Sequence, residues 1–333
     1  MKIVTPLTAI ECYEPLVNAG ADEFFCGVIP YEWLKAFNNA APFNRREYLY
    51  RCNICTMNSL KILSRIVEKK HVPVKITLNS IYYDKDSYGL IEETLKRFID
   101  LGFRTFIIAD VALLVYLRDK GLDCDFHLSG ESGAINRLTI RFYNRFGISR
   151  YVFSRKTTIG EMKSCIEGSD VKGLEYEAFL LNELCPFTGA YCNTIHCDEM
   201  SGICRVPYHM ERINKESGKY EKEYHIFKLM NKIDRSKIKE VESMNLTEED
   251  RKPIYRLGET GCGVCKIGDL RDAGITHLKV VGRGNSLKNI INDVKNVRDI
   301  IQMTELERDN MKSCTAIKEK YFPGKCPEHC YYP

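Results

Sequence analysis

Val72-Pro73-Val74-Lys75-Ile76-Thr77-Leu78-Asn79, a helical stretch over Tyr88–Leu101, then Thr105-Phe106-Ile107-Ile108-Ala109-Asp110: this run decides the fold class. The outer pieces are short, apolar and rich in β-branched residues. The middle piece places Leu90, Ile91, Leu95, Phe98 and Ile99 on one helical face and is followed by Gly102, a residue type that ends helices. The same alternation extends in both directions. Strands are predicted at Lys2–Thr5, Glu23–Gly27, Val72–Asn79, Thr105–Asp110, Asp125–Ser129, Arg150–Ser154, Leu174–Leu181 and His277–Gly282. Further helices are predicted at Met57–Lys70, Asn136–Phe146 and Ile159–Glu167, with Gly20, Gly121 and Gly147 at helix ends and Ser286 as the N-cap of the last barrel helix. Eight strands, most followed by a helix, fit an α/β protein of the TIM-type (β/α)8 barrel class better than an open doubly wound sheet. No Gly-x-Gly-x-x-Gly follows the first strand, which weakens a dinucleotide-binding reading.

Two insertions interrupt the alternation. One, from about Val28 to Asn53, holds Trp33, the run Asn44-Arg45-Arg46-Glu47 and Cys52, with Cys55 just beyond. The other, Cys185 to Cys265 between strands seven and eight, is dense in cysteine at both ends. Residues 1–303 are read as the barrel including that cysteine-rich insertion, and 304–333 as a C-terminal tail ending in Cys326-x3-Cys330. In a barrel, both insertions leave from strand C-terminal ends, the face where sites are built.

The 333 residues are 44% hydrophobic and 28% charged, which places the chain among globular proteins. A net charge of +4 supplies no broad cationic field, so RNA is not supported as a partner by charge. No run of 18 apolar residues predicts a membrane span, and the N-terminus has no leader pattern. Fifteen cysteines, some at short spacings, then point to a cytoplasmic metal-binding or redox protein rather than a disulfide scaffold.

The densest group is Cys185-x6-Cys192-x4-Cys197-x6-Cys204, with Gly261-Cys262-Gly263-Val264-Cys265 as the second. Four converging thiolates suit a 4Fe–4S cluster or zinc; the loose spacing of the first group favours iron–sulfur, since zinc sites usually show two tight Cys-x2–4-Cys pairs. Cys52, Cys55, Cys326 and Cys330 are tight pairs that can join into a second site, a cluster or zinc. Cys12, Cys26, Cys124, Cys165 and Cys314 stand alone and read as structural or incidental.

Polar residues at or just past strand ends outline a pocket: Asn79, Asp110, His127, Glu131, Glu177 and Arg155, with Arg45 and Arg46 in the first insertion. Gly282-Arg283-Gly284 leaves the last strand and enters a helix, a pattern that presents N–H groups and a guanidinium to an anion. His127 is the first choice of acid–base residue because an unperturbed imidazole, near pKa ~6.5, suits proton transfer at neutrality. Asp110, Glu131 and Glu177 are further catalytic candidates. Proteolysis finds no independent support: Gly-x-Ser-x-Gly and His-Glu-x-x-His are absent, and His196 beside the cysteines suits a metal loop as well as a base.

Several segments together resemble the collagenase-like peptidase family U32 in a short form. They are Ala19-Gly20-Ala21-Asp22-Glu23-Phe24, Val74–Asn79, Phe106–Asp110, His127-Leu128-Ser129, Glu177-Ala178-Phe179, Cys185, Gly189-Ala190-Tyr191-Cys192, Gly202-Ile203-Cys204-Arg205 and Leu278–Arg283. The resemblance covers roughly residues 1–300 and implies a TIM-type barrel. It also implies kinship with oxygen-independent RNA and ubiquinone-pathway hydroxylases, which carry a 4Fe–4S cluster and take oxygen from prephenate. Carried over by position, the ligands are Cys185, Cys192, Cys204 and Cys265, with Cys197 and Cys262 as extras. The family commonly has His where this chain has Leu181 and Gln where it has Glu131. Three readings follow: an iron–sulfur hydroxylase-like enzyme acting on a small or partner-delivered substrate, a peptidase with a structural metal, or a non-catalytic iron–sulfur subunit of a dimeric complex.

Overall fold

A computed structural model of the chain describes residues 1–38, 41–45, 52–133, 136–185, 189–192, 210–213, 220–224 and 255–333. The chain divides into two units, Met1–Glu199 with Leu257–Pro333, and Met200–Arg256. In the second, β9 (Met210–Ile213) and β10 (Tyr220–Tyr224) form an antiparallel pair.

The first unit begins with β1 (Lys2–Leu7), α1 (Tyr13–Ala19) and β2 (Glu23–Val28). Next come α2 (Tyr31–Phe37), the short β3 (Asn53–Ile54), α3 (Met57–Lys70) and β4 (Val74–Leu78). Helices and strands then alternate through α4 (Tyr88–Asp100), β5 (Thr105–Ile108), α5 (Val111–Asp119), β6 (Asp125–Leu128), α6 (Arg137–Asn144), β7 (Ile148–Val152), α7 (Ile159–Ser169) and β8 (Glu175–Leu181). The chain ends with α8 (Ile267–Asp272), β11 (His277–Val280), α9 (Leu287–Leu306) and α10 (Asn310–Tyr321).

Eight of these strands pair in parallel in the order β1-β11-β8-β7-β6-β5-β4-β2, and β2 returns to β1 through Val4↔Glu23 and Thr5↔Phe24. The sheet is a closed (β/α)8 barrel. All eight predicted strands are present, with ends shifted by a few residues. The ninth, β3, extends β2 through Gly27↔Asn53 and Val28↔Ile54; two residues are too few for a periodic signal.

Local chemistry fixes the helix ends. Thr158 and Glu161 form a capping box on α7, Asn136 caps α6, and Ser286 caps α9 by accepting from the Asn289 N–H, as its position predicts. Gly20 ends α1 at φ 106°, a conformation that costs glycine little. On α4 the buried face is Ile91, Thr94, Leu95 and Phe98. Thr94 joins it because its hydroxyl donates to the Leu90 carbonyl, so no polar atom is stranded. Within the first insertion, Trp33 anchors α2: its ring packs on Phe37, Phe43 and Tyr83, and its N–H donates to the Ala41 carbonyl at 2.7 Å.

The last residues are built into the barrel unit. Tyr331 and Tyr332 are buried, and their hydroxyls donate to the carbonyls of Asn182 and Phe179, each at 2.5 Å. Among the described residues, no helix is long and apolar enough to cross a membrane.

Candidate active site at the barrel mouth

The barrel interior is ionic where most cores are apolar. Arg150 on β7 is 1% exposed and donates to both carboxyl oxygens of Glu23, at 2.7 and 3.1 Å. It also donates to Glu177 at 3.0 Å and to Glu175 at 2.7 Å, and meets His277 Nε2 at 2.8 Å. Lys279 completes the lattice by donating to the second oxygen of Glu177 at 2.6 Å. Burial raises the Glu177 carboxyl, but Lys279 and Arg150 outweigh it and hold the group below the usual carboxylate range. Glu23 behaves likewise, with His277 and Arg150 as its partners. Glu177, a catalytic candidate by sequence, therefore has each oxygen committed to a cation and no proton to give near neutrality.

His127 lies in the same interior, 3% exposed, and its Nδ1 has no hydrogen-bond partner among the described residues. Burial, then the charges of Arg150 and Lys75, hold the imidazole well below its ordinary range. The expectation of a group titrating near neutrality is corrected here. His127 is a neutral acceptor or donor at physiological pH.

Asp110 is also reassigned. One oxygen accepts from the Ala112 and Leu113 N–H groups at 2.8 and 3.2 Å, capping α5; the other accepts from the Tyr83 N–H at 2.8 Å. Its position past a strand end suggests chemistry, but its bonds are those of a helix cap.

Above this layer, the strand C-terminal ends form the mouth. Glu131, after β6, accepts from Arg155, after β7, at 2.7 Å, and the Arg155 guanidinium lies 4.0 Å over the Phe179 ring. Burial opposes the Arg155 charge, but Glu131 more than restores it. Gly189 sits against the same carboxylate: a Cβ built there would lie 1.4 Å from a Glu131 oxygen. Arg45 donates to the carbonyls of Gly189 and Cys192 at 3.4 and 3.1 Å, and its N–H donates to the Asn79 side chain at 3.3 Å. Gly189 and Cys192 are thereby tied onto the mouth, and Cys185 and Cys192 are both half-buried.

Arg283 follows β11. Its guanidinium is buried and donates to Asn44 at 3.3 Å, while its carbonyl accepts from the Cys52 thiol at 3.1 Å. Asn44 in turn donates to the Val28 carbonyl and to Asn53. Gly27 is required here, since a Cβ would lie 2.0 Å from Asn53 and 2.7 Å from Arg283. Gly282, at φ 106°, turns Arg283 inward rather than out along α9, and Gly284 is exposed. Cavities of about 370 Å³ beside Val28, Cys55 and Met57, and about 500 Å³ beside Lys163, Lys266 and Tyr332, lie elsewhere; neither is lined by Glu131, Arg155 or Arg283.

Of the predicted metal ligands, Cys197 and Cys204 lie outside the described residues, as do His196 and Arg46. Cys262 is buried, and Cys265 is half-buried beside Cys314; burial pushes both thiols of the Cys262–Cys265 pair up to about 12. Among the described residues, no three His, Cys, Asp or Glu side chains are gathered to hold a metal ion. The predicted pairing of Cys52 and Cys55 with the tail meets a different layout. Cys52 is at the end of β2, whereas Cys330 bridges Cys262, next to the end of β8. Sequence reasoning missed Glu23, Arg150, His277 and Lys279. Their signal was charge at alternating positions inside apolar strands, as in Glu175-Tyr176-Glu177 and His277-Leu278-Lys279.

The model of Peptidase family U32 matches residues 8–323. This chain belongs to that family. As a U32 protein it is 25% identical, over 197 residues, to an uncharacterized protease of Methanocaldococcus jannaschii; the match covers 58% of this chain and 43% of that one. It is 29% identical over 98 residues to tRNA hydroxylation protein P of Haemophilus influenzae and 26% to that of Escherichia coli, covering 29% of this chain and 21% of each relative. The chain thus spans less than half the length of these curated relatives. A solved structure of the U32 peptidase Mk0906 aligns with a TM-score of 0.41 at 12% identity, covering 54% of this chain and 68% of that one.

Proposed function

We propose that this U32 protein is an iron–sulfur enzyme of the hydroxylase type, acting at the barrel mouth on a small polar or anionic substrate. One observation carries the reading: Gly189 lies against the Glu131 carboxylate that pairs with Arg155, and Arg45 holds the Gly189 and Cys192 carbonyls. Two soft, half-buried thiols beside a charged pocket fit cluster ligands in kind and in position, with Cys204 and either Cys197 or a residue of the Cys262–Cys265 turn as the remaining candidates. A bound 4Fe–4S cluster would supply one-electron chemistry that no side chain here can supply. The chain's own residues bind and orient. Arg155, over the Phe179 ring, and Arg283, anchored on Asn44, are the cations this face offers to an anion such as the dicarboxylate prephenate. Glu131 is the proton acceptor nearest that pocket, and neutral His127 lies in the barrel interior. Two relatives are named as tRNA hydroxylation proteins, which agrees with this class, and one is named as a protease, which keeps the peptidase reading as the alternative.

The test is anaerobic purification. Brown protein with absorption near ~400 nm is expected, lost on Cys185→Ala or Cys192→Ala. Iron-free, colourless protein from anaerobic cells, or peptide hydrolysis that persists without iron, overturns the reading in favour of a peptidase.

A further inference from the structure

The chain leaves β8 through two residues in the left-handed region, Asn182 at φ 68° and Glu183 at φ 47°. Neither is glycine, so the turn persists only because its neighbours over-determine it. The Asn182 N–H donates to the Gly261 carbonyl at 2.7 Å, and the Leu184 N–H to the Thr260 carbonyl at 2.8 Å. The Asn182 side chain donates to Asp293 at 2.8 Å, and its carbonyl accepts from the Tyr331 hydroxyl. Cys185 follows directly on this turn. Tyr331 also reaches the mouth. Its ring stacks on Phe179, centroids 6.4 Å apart and planes 11° from parallel, and Phe179 is the ring beneath the Arg155 guanidinium. Tyr332, the next residue, fixes the Phe179 backbone through its carbonyl. Arg155 needs that support. It is paired with Glu131, but its Nε is buried without a hydrogen-bond partner among the described residues. Burial raises the Tyr331 phenol and Arg155 opposes the rise, with Glu183 and Cys185 close enough to add to it. Two glycines admit the tyrosines: a Cβ on Gly261 would lie 2.9 Å from the Tyr331 ring, and one on Gly263 would lie 2.9 Å from the Tyr332 ring.

We propose that Tyr331 is a positioning residue of the barrel mouth: its ring sets Arg155 through Phe179, and its hydroxyl sets the turn that delivers Cys185. Tyrosine suits both tasks, since it joins a rigid apolar ring to a single polar tip. Residues 304–333, which read as a tail outside the barrel, thereby shape the site. The inference rests on the reading of the mouth as an anion site, and on no metal.

Two substitutions in the full chain separate the roles, read by calorimetry with prephenate and by peptide-resolved hydrogen exchange. Tyr331→Phe keeps the ring, so prephenate affinity should stay within about twofold of the unaltered protein. Amide exchange across Asn182–Leu184 should quicken about fivefold in that variant, the worth of one hydrogen bond. Tyr331→Leu removes ring and hydroxyl together, and prephenate affinity should then fall about tenfold as well. Unchanged exchange in Tyr331→Phe, or unchanged affinity in Tyr331→Leu, overturns the proposal. Exchange that quickens equally in α4 and β5 also overturns it, because that is general loosening. Should Tyr331→Leu fail to fold, exchange in Tyr331→Phe decides alone. No prephenate binding by the unaltered protein overturns the anion site itself, a failure distinct from unchanged binding in the variant. Colourless, iron-free protein that shows the expected changes would sink the cluster and keep Tyr331.

Discussion

A carboxylate at position 131 changes what Arg155 can do. Where the resembling family commonly carries glutamine, this chain neutralises the guanidinium with an ion pair at 2.7 Å. Glu131→Gln keeps the shape and removes the charge, so Arg155 regains an uncompensated cation. Its affinity for a dicarboxylate such as prephenate should rise about tenfold, the equivalent of about 1.4 kcal/mol. Calorimetric titration measures it, and unchanged or weaker binding would count against an anion site at Arg155. His127 gives a second expectation. Its pKa is depressed in the folded protein, so below about pH 6.5 the unfolded chain takes a proton that the fold refuses. Stability falls with pH there by up to about 1.4 kcal/mol per unit. His127→Gln should flatten that slope in urea midpoints taken from pH 7 to 5.5, leaving the loss at lower pH. That later loss belongs to Glu23 and Glu177: their stabilisation is complete above about pH 5 and lost as pH falls through the carboxylate range.

At the scale of elements, Asp110 illustrates how position misleads. It follows a strand, where catalytic groups cluster, but it also precedes the apolar run Val111-Ala112-Leu113-Leu114, which is the pattern of an N-cap. Both signals were present, and only the hydrogen bonds separate them. Asp110→Ala strands two N–H groups of α5 and that of Tyr83, and should cost about 1–2 kcal/mol in urea denaturation. Asp110→Asn, which also caps, should cost well under half of that. Equal losses in the two variants would mean that the charge itself matters. The strands were legible because each is a short apolar run between helical stretches. The caps at Ser286 and the turn at Gly20 were legible because one residue type suffices for each. The α2 segment was not, since Trp33 is held by Phe43 and Tyr83, contacts that no local period reveals.

At the scale of the molecule, closure and alternation are readable, and Glu131, Arg155 and Arg283 each follow the C-terminal end of a barrel strand. What the sequence hid was which of its charges meet. Arg150 was read as the start of a strand, and it proves to be the hub of the interior. Arg150→Met removes the partner of Glu23 and Glu177 and leaves buried carboxylates uncompensated, at a cost of about 3–5 kcal/mol. Pairing it with Glu23→Gln should recover part of that loss, measured by denaturant midpoint; no recovery would show that the two side chains act separately.

The lattice also bears on the order in which this chain can fold. Glu23 finds Arg150 only 127 residues along the sequence, and Glu177 finds Lys279 only 102 residues further on. Until β1, β2, β7, β8 and β11 are all in register, these groups remain in water and oppose collapse. An N-terminal half-barrel has little reason to persist, because buried Glu23 would lack Arg150 and His277. Docking of the last strand, rather than any local nucleus, is then the step that commits the molecule, and long-range contacts of this kind make that step slow and all-or-none.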